Sequence, residues 1–111
     1  MDLAVEELSE RIRAQLANCA NVREQKMFGG VAFMLDGNML VGPIKGGGLL
    51  VRTGKDAYAA ALQRPGAEPM TMTGRTMAGF VQVSGDAIEA DEALTEWIAV
   101  AEKFVATLPP K

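Results

Sequence analysis

The sequence predicts an α+β fold in two layers, a mainly antiparallel sheet with helices on one face. Three observations predict it. Residues 26–35, Lys-Met-Phe-Gly-Gly-Val-Ala-Phe-Met-Leu, run straight into Asp36-Gly37, and Asp-Gly supplies the positive φ angles that a tight hairpin turn needs. Apolar residues recur at helical spacing near both ends of the chain, and short apolar or alternating segments divided by Gly and Pro fill the middle. The resulting order is helix, three or four strands, short helix, two strands, long helix, within a single domain spanning residues 1–111.

The first helix is predicted over residues 2–18, where Val5, Leu8, Ile12 and Leu16 form one stripe and Glu6, Glu7, Glu10, Arg11 and Arg13 take the wet side. Asn18 and Asn21 suit its end. Residues 22–28 read as a short polar strand, and Gly29-Gly30 as a tight turn or bulge, because glycine alone takes such backbone angles without cost. Residues 31–35 and 39–44 are the arms of the hairpin closed at Asp36-Gly37 or Gly37-Asn38. Pro43 donates no backbone hydrogen bond, so its strand is an edge or ends there.

Lys45-Gly46-Gly47-Gly48 is a flexible connection to a strand at residues 49–53, and Gly54 leads into a short Ala-rich helix at 56–63 that Arg64-Pro65-Gly66 stops. Residues 69–73 alternate Met70 and Met72 with Thr71 and Thr73, a strand with unlike faces. Gly74-Arg75 turns the chain into a last strand at 77–83. Asp91 is placed to cap a final helix whose Leu94, Trp97, Ile98, Ala101, Val105 and Leu108 share one face, and Pro109-Pro110 ends it.

Both faces of the central strands are apolar. Val31, Phe33 and Leu35 alternate with Ala32 and Met34, and Leu49 and Val51 flank Leu50. A second apolar face asks for a cover, which predicts a homodimer through that face or its edge. Met27, Met34, Met39, Met70, Met72 and Met77 supply either adaptable contacts there or ordinary core packing.

The composition excludes several classes. With 49% apolar and 23% charged residues the chain is globular, and its longest apolar runs fall far short of the roughly 20 residues of a membrane-spanning helix. The acidic N-terminus, with Asp2, Glu6 and Glu7, does not resemble a secretory signal, and a lone Cys19 forms no internal disulfide, so a cytoplasmic location is expected. Cys19 reads as a buried structural thiol. There is no histidine, which removes Ser-His and Cys-His nucleophilic pairs and HExxH zinc sites.

Net charge is −3, against a dedicated nucleic-acid binder, but residues 1–21 carry −2, residues 22–84 carry +3 and residues 85–111 carry −4. The middle is basic. Lys26, Arg52, Lys55 and Arg75 there are candidate binding residues if the fold gathers them on one rim, and solubilising surface charges otherwise.

Phosphate-binding loops fail on inspection. Leu49 stands where a P-loop ending in Gly54-Lys55 needs its first Gly and Asp56 where it needs a hydroxyl, while Val51 stands at the last glycine of G-x-G-x-x-G. Ser9 and Ser84 have no base, and residues 86–92 lack the Gly and alternating acids of an EF-hand. No catalytic residue, metal ligand or cofactor site is assigned.

Lys26-Met27-Phe28-Gly29-Gly30, then Phe33, Asp36-Gly37, Leu49-Leu50-Val51-Arg52 and Glu68-Pro69 together resemble the N-terminal domain of the TfoX/Sxy proteins, regulators of bacterial competence. The resemblance covers nearly the whole chain, including the acidic helix around residues 92–97. It implies a secretion-chaperone-like α+β fold and bacterial origin. It adds Phe28, Gly29 and Gly30 to Lys26 as candidate binding residues. Competence-associated members also carry a C-terminal helical domain, so a chain stopping at Lys111 reads as a stand-alone N-terminal domain. After Glu-Pro and in the last strand, where the family commonly has aromatics, this chain has Met70, Met72 and Val81 and keeps only Phe80. The expected function is a non-enzymatic regulatory or protein-interaction module. The alternatives are a transcription-related regulator that contacts nucleic acid weakly, and a small ligand-binding domain or enzyme.

Overall fold

The computed structural model describes residues 3–27, 30–44, 46–72 and 74–110, with the side chains of Met27 and Met72 excepted. The elements follow the order α1 (Leu3–Gln15), β1 (Val22–Met27), β2 (Gly30–Leu35), β3 (Asn38–Pro43), β4 (Leu49–Arg52), α2 (Gly54–Leu62), β5 (Ala67–Met72), β6 (Arg75–Val83) and α3 (Asp91–Val105), with one 3-10 turn at Gly85–Ile88. All pairings are antiparallel and the sheet order is β1-β2-β3-β4-β6-β5. The first four strands form a meander, and the β5-β6 hairpin adds to it with β6 inside.

The Asp-Gly turn is the clearest link from sequence to local structure. Asp36 and Gly37 have φ of 51° and 83°, the two positive angles of a type I′ turn, and Leu35 faces Asn38 across it. Between Phe33 and Met34 the register slips, so that Leu40 is the extra residue on β3. Beside Asn38, that bulge turns both Leu40 and Val41 to the core, each fully buried. Pro43 is the last residue of an interior strand, as a residue without an N–H must be there.

Register places Phe33, Val41, Val51 and Val81 in one cross-strand row, and these pack in a single core with Leu8, Ile12 and Leu16 before the sheet, Ala61 of α2, and Leu94, Trp97, Ile98 and Ala101 of α3. All three helices therefore cover this face. Burial of each Leu, Ile or Phe in such a core contributes roughly 1.5–3 kcal/mol, which dominates over helix propensity in holding the helices down. Most of both predicted helical stripes is buried, Val5, Leu8 and Ile12 in α1 and Leu94, Trp97, Ile98, Ala101 and Val105 in α3, whereas Leu16, buried, and Leu108, half-buried, lie beyond the ends of their helices.

The other face carries the row Gln25, Ala32, Leu50, Gln82 and Glu68. Its centre is apolar and its margins are polar. Ala32 and Leu50 are buried, whereas Met34 and Met39, which pair across β2 and β3, are half-buried, as are Met70 and Met77. Among the described residues only Leu3, 66% exposed, is a large apolar side chain in open solvent.

Boundaries moved where tertiary contacts outweigh local signals. The first helix stops at Gln15, and the short helix starts at Gly54 rather than residue 56. Asp91 is the first residue of α3 rather than its cap, which is Ala90, because its carboxylate binds Arg11 at 3.1 Å instead of folding back on the helix. Arg11 also donates to the carbonyls of Ile88 and Glu89 at 2.7 and 3.1 Å, locking α1 to the 3-10 turn that the sequence did not announce. The Gly29 turn lies outside the described residues; Met27 and Gly30 pair on either side of it.

Candidate functional site

α2 and α3 lie side by side and antiparallel. Gly54, at the start of α2, sits against Phe104 near the end of α3, and Arg64, just after α2, stacks over Trp97 at 5.4 Å and pairs with Glu96 at 3.4 Å. Two features let the helices come this close. Gly54 has φ of 77°, and the space a Cβ would need is taken by the Phe104 ring. Thr53, buried, donates its backbone N–H to Gly79 of β6 at 2.8 Å and so fixes where α2 begins.

Arg52, at the end of β4, inserts between two rings, its guanidinium carbon 5.8 Å from the Phe80 centroid and 5.3 Å from that of Phe104. A guanidinium over aromatic faces is attracted by their quadrupoles. Among the described residues it has no acidic partner. Among those residues its positive charge behind Phe104 is uncompensated.

Between the outer surfaces of α2 and α3 runs a groove of about 700 Å³. Its floor is apolar: Ala57, Ala60 and Ala61 from α2 face Val100 and Phe104 from α3. Lys55, Arg64 and Lys103 stand at its rim with a single acid, Asp56. Lys55 and Lys103 are exposed and make no ion pair among the described residues.

A second cleft, of about 430 Å³, lies between α1 and β1. Arg13 grips Glu24 there with two bonds of 2.7 Å, and this hydrogen bonding holds the Glu24 carboxyl below the usual carboxylate range and the Arg13 guanidinium above its own. A carboxylate so engaged is a poor general base. Ser9 lines the same cleft and is buried, and its Oγ has no hydrogen-bond partner among the described residues, nor does the Tyr58 hydroxyl. Cys19 contacts Glu102 at 3.8 Å, and desolvation followed by that negative charge pushes its thiol up. A raised thiol is weakly nucleophilic at neutral pH.

The fold does not gather the candidate binding residues on one rim. Lys26 belongs to the α1/β1 cleft on one edge strand, whereas Arg75 lies exposed at the start of β6, beside the opposite edge. Arg52 and Lys55 do come together, around Phe104 at the head of the groove. Gly30 is buried, and a Cβ there would overlap the Pro43 carbonyl oxygen, so close strand packing accounts for it. Phe28 and Gly29 lie outside the described residues.

Sequence reasoning missed Lys103, Phe104 and Arg64. The signal was present: Val100, Lys103, Phe104 and Thr107 repeat at three and four residue spacing, a second stripe beside the core stripe of α3, and Ala57, Ala60 and Ala61 match it on α2.

The model of the TfoX N-terminal domain family matches residues 14–105. The chain belongs to that family. Comparison with curated proteins and with solved structures finds no match. The matched span of this TfoX N-terminal domain begins inside α1 and ends with α3, so it takes in the whole sheet and both helices that form the groove.

Proposed function

We propose that this TfoX N-terminal domain is a non-enzymatic regulatory module of the competence-regulator type, acting in the cytoplasm through protein contacts. The observation that carries the reading is the α2/α3 groove, whose apolar floor and unpaired lysines suit a macromolecular surface better than a reaction. The placement of titratable groups supports it further. Glu24 is tied to Arg13, Cys19 is raised, and among the described residues no three His, Cys, Asp or Glu cluster to hold a metal.

Self-association through the second sheet face is part of the proposal, with Met34 and Met39 as its adaptable centre. Sedimentation velocity at micromolar concentration tests it: wild type sediments as a dimer and Met34→Glu/Met39→Glu as a monomer. The module itself is tested by retaining host proteins on the immobilised domain, remaking each pure and titrating it calorimetrically. A stoichiometric complex supports the reading, and failure of every purified candidate to rebind overturns it.

A further inference from the structure

We infer that the α2/α3 groove receives an acidic amphipathic helix from a partner protein, an inference that rests on the interaction-module reading and gives it a site. The first argument is shape. The groove is walled on one side by the alanines of α2, a nine-residue helix about 14 Å long. That length accepts two to three turns of a guest helix, and small side chains let its backbone come close. On the other side Val100 and Phe104, four residues apart on α3, offer apolar contacts to guest residues at positions i, i+3 or i+4 and i+7.

The second argument is charge, and it selects the guest. The domain carries −3 overall, yet around the groove Lys55, Lys103 and Arg64 stand against Asp56, and Arg52 adds a guanidinium behind Phe104 that has no acidic partner among the described residues. Arg64 already shares its charge with Glu96. The free cations therefore concentrate at the end where α2 begins and α3 ends, and a guest helix places its acids there. A basic helix would meet the unpaired lysines at the groove and the acids of the remaining surface only at a distance, beyond the reach of screened charges. Apolar anchors give the complex its affinity, and the lysines set its polarity and partner choice.

The test uses the purified full chain and a dye-labelled synthetic helix of about 16 residues, with Leu at the anchor positions and Glu elsewhere, beside its Glu-to-Lys counterpart. Anisotropy of the dye reports binding. Trp97, the one tryptophan of the sequence and stacked under Arg64 at the far end of the groove, reports it independently by fluorescence. The acidic helix is expected to bind and the basic one not. Lys55→Glu/Lys103→Glu, at exposed positions and with folding checked by its melting curve, is expected to weaken the acidic helix at least about tenfold. Ala60→Trp, also exposed, fills the groove and blocks it.

Failure of the acidic helix to bind, equal binding of the basic helix, or indifference to both variants overturns the inference. So does tighter binding of duplex DNA through the same lysines, or a dimer that Lys55→Glu/Lys103→Glu dissociates, which would seat a second copy in the groove. A pure host partner that binds wild type and Lys55→Glu/Lys103→Glu alike overturns the groove alone and leaves the module reading standing.

Discussion

The ring of Phe104 occupies the space that a side chain on Gly54 would need, so the end of α3 is packed onto the first residue of α2 through the absence of an atom. Residue 54 also has φ of 77°, where an L side chain is strained. Gly54→Ala thus meets two penalties, an unfavourable backbone angle and an overfilled contact, together roughly 2–4 kcal/mol. Guanidinium melts should show the loss, and Phe104→Leu in the same background should recover part of it by removing the ring but not the strain.

Asn38, only 3% exposed, donates its Nδ2 to the carbonyl of Pro109 at 3.1 Å and so ties the hairpin to the chain beyond α3. Removing residues 109–111 leaves that buried amide without its acceptor, at a cost of about 1–3 kcal/mol. The same truncation in an Asn38→Leu background should cost less. A double-mutant cycle on urea midpoints measures the coupling, which vanishes if the hydrogen bond contributes nothing.

The Arg13–Glu24 pair makes a pH prediction with a definite sign. Hydrogen bonding to Arg13 lowers the Glu24 carboxyl below its ordinary 4.5, so the folded chain binds fewer protons there than the unfolded one. The stabilisation is complete above that ordinary value and is lost as pH falls through the lower, folded value. Both side chains are substantially exposed, at 54% and 36%, which keeps the effect small. Glu24→Gln should be slightly less stable than wild type at pH 7, and the gap should close as pH falls through the lowered, folded value of Glu24.

Cys19 should be slow to alkylate. Desolvation and the neighbouring Glu102 carboxylate hold its thiol above the ordinary 9.0, so iodoacetamide should react severalfold more slowly at pH 7.5 than with a small free thiol. Glu102→Gln should speed it. A pH–rate midpoint at or below 9.0 would contradict this assignment.

Much of the fold is legible in the sequence because its signals are local. A φ-positive dipeptide at 36–37, stripes at three and four residue spacing in α1 and α3, and a proline at 43 each act within a few residues, and each stands where expected. What escaped depends on distant partners. Asp91 leaves the cap position because Arg11, 80 residues away, claims its carboxylate, and the turn at Gly85–Ile88 forms where the same Arg11 reaches the Ile88 carbonyl. The candidate site divides in the same way. Arg52 and Lys55 were visible as cations three residues apart, but Phe104 and Lys103, about fifty residues further along the chain, join them only through the antiparallel packing of α2 and α3. Lys26 and Arg75 looked alike in sequence and lie toward opposite margins of the sheet, since strand order, which no local pattern encodes, keeps them apart.

The clasp of Arg11 on Ile88, Glu89 and Asp91 also bears on how the chain is made. Within this domain α1 is made first, yet the groups that Arg11 holds are synthesised 77 to 80 residues later. During that interval the meander can zip strand by strand from neighbours close in the chain and receive the greasy side of α1 on β2 and β3, before the clasp closes. Nascent copies thus pass through a stage in which α1 is held by greasy contacts and the Arg13–Glu24 pair alone, and its Arg11 lock closes only once the segment after β6 has been made.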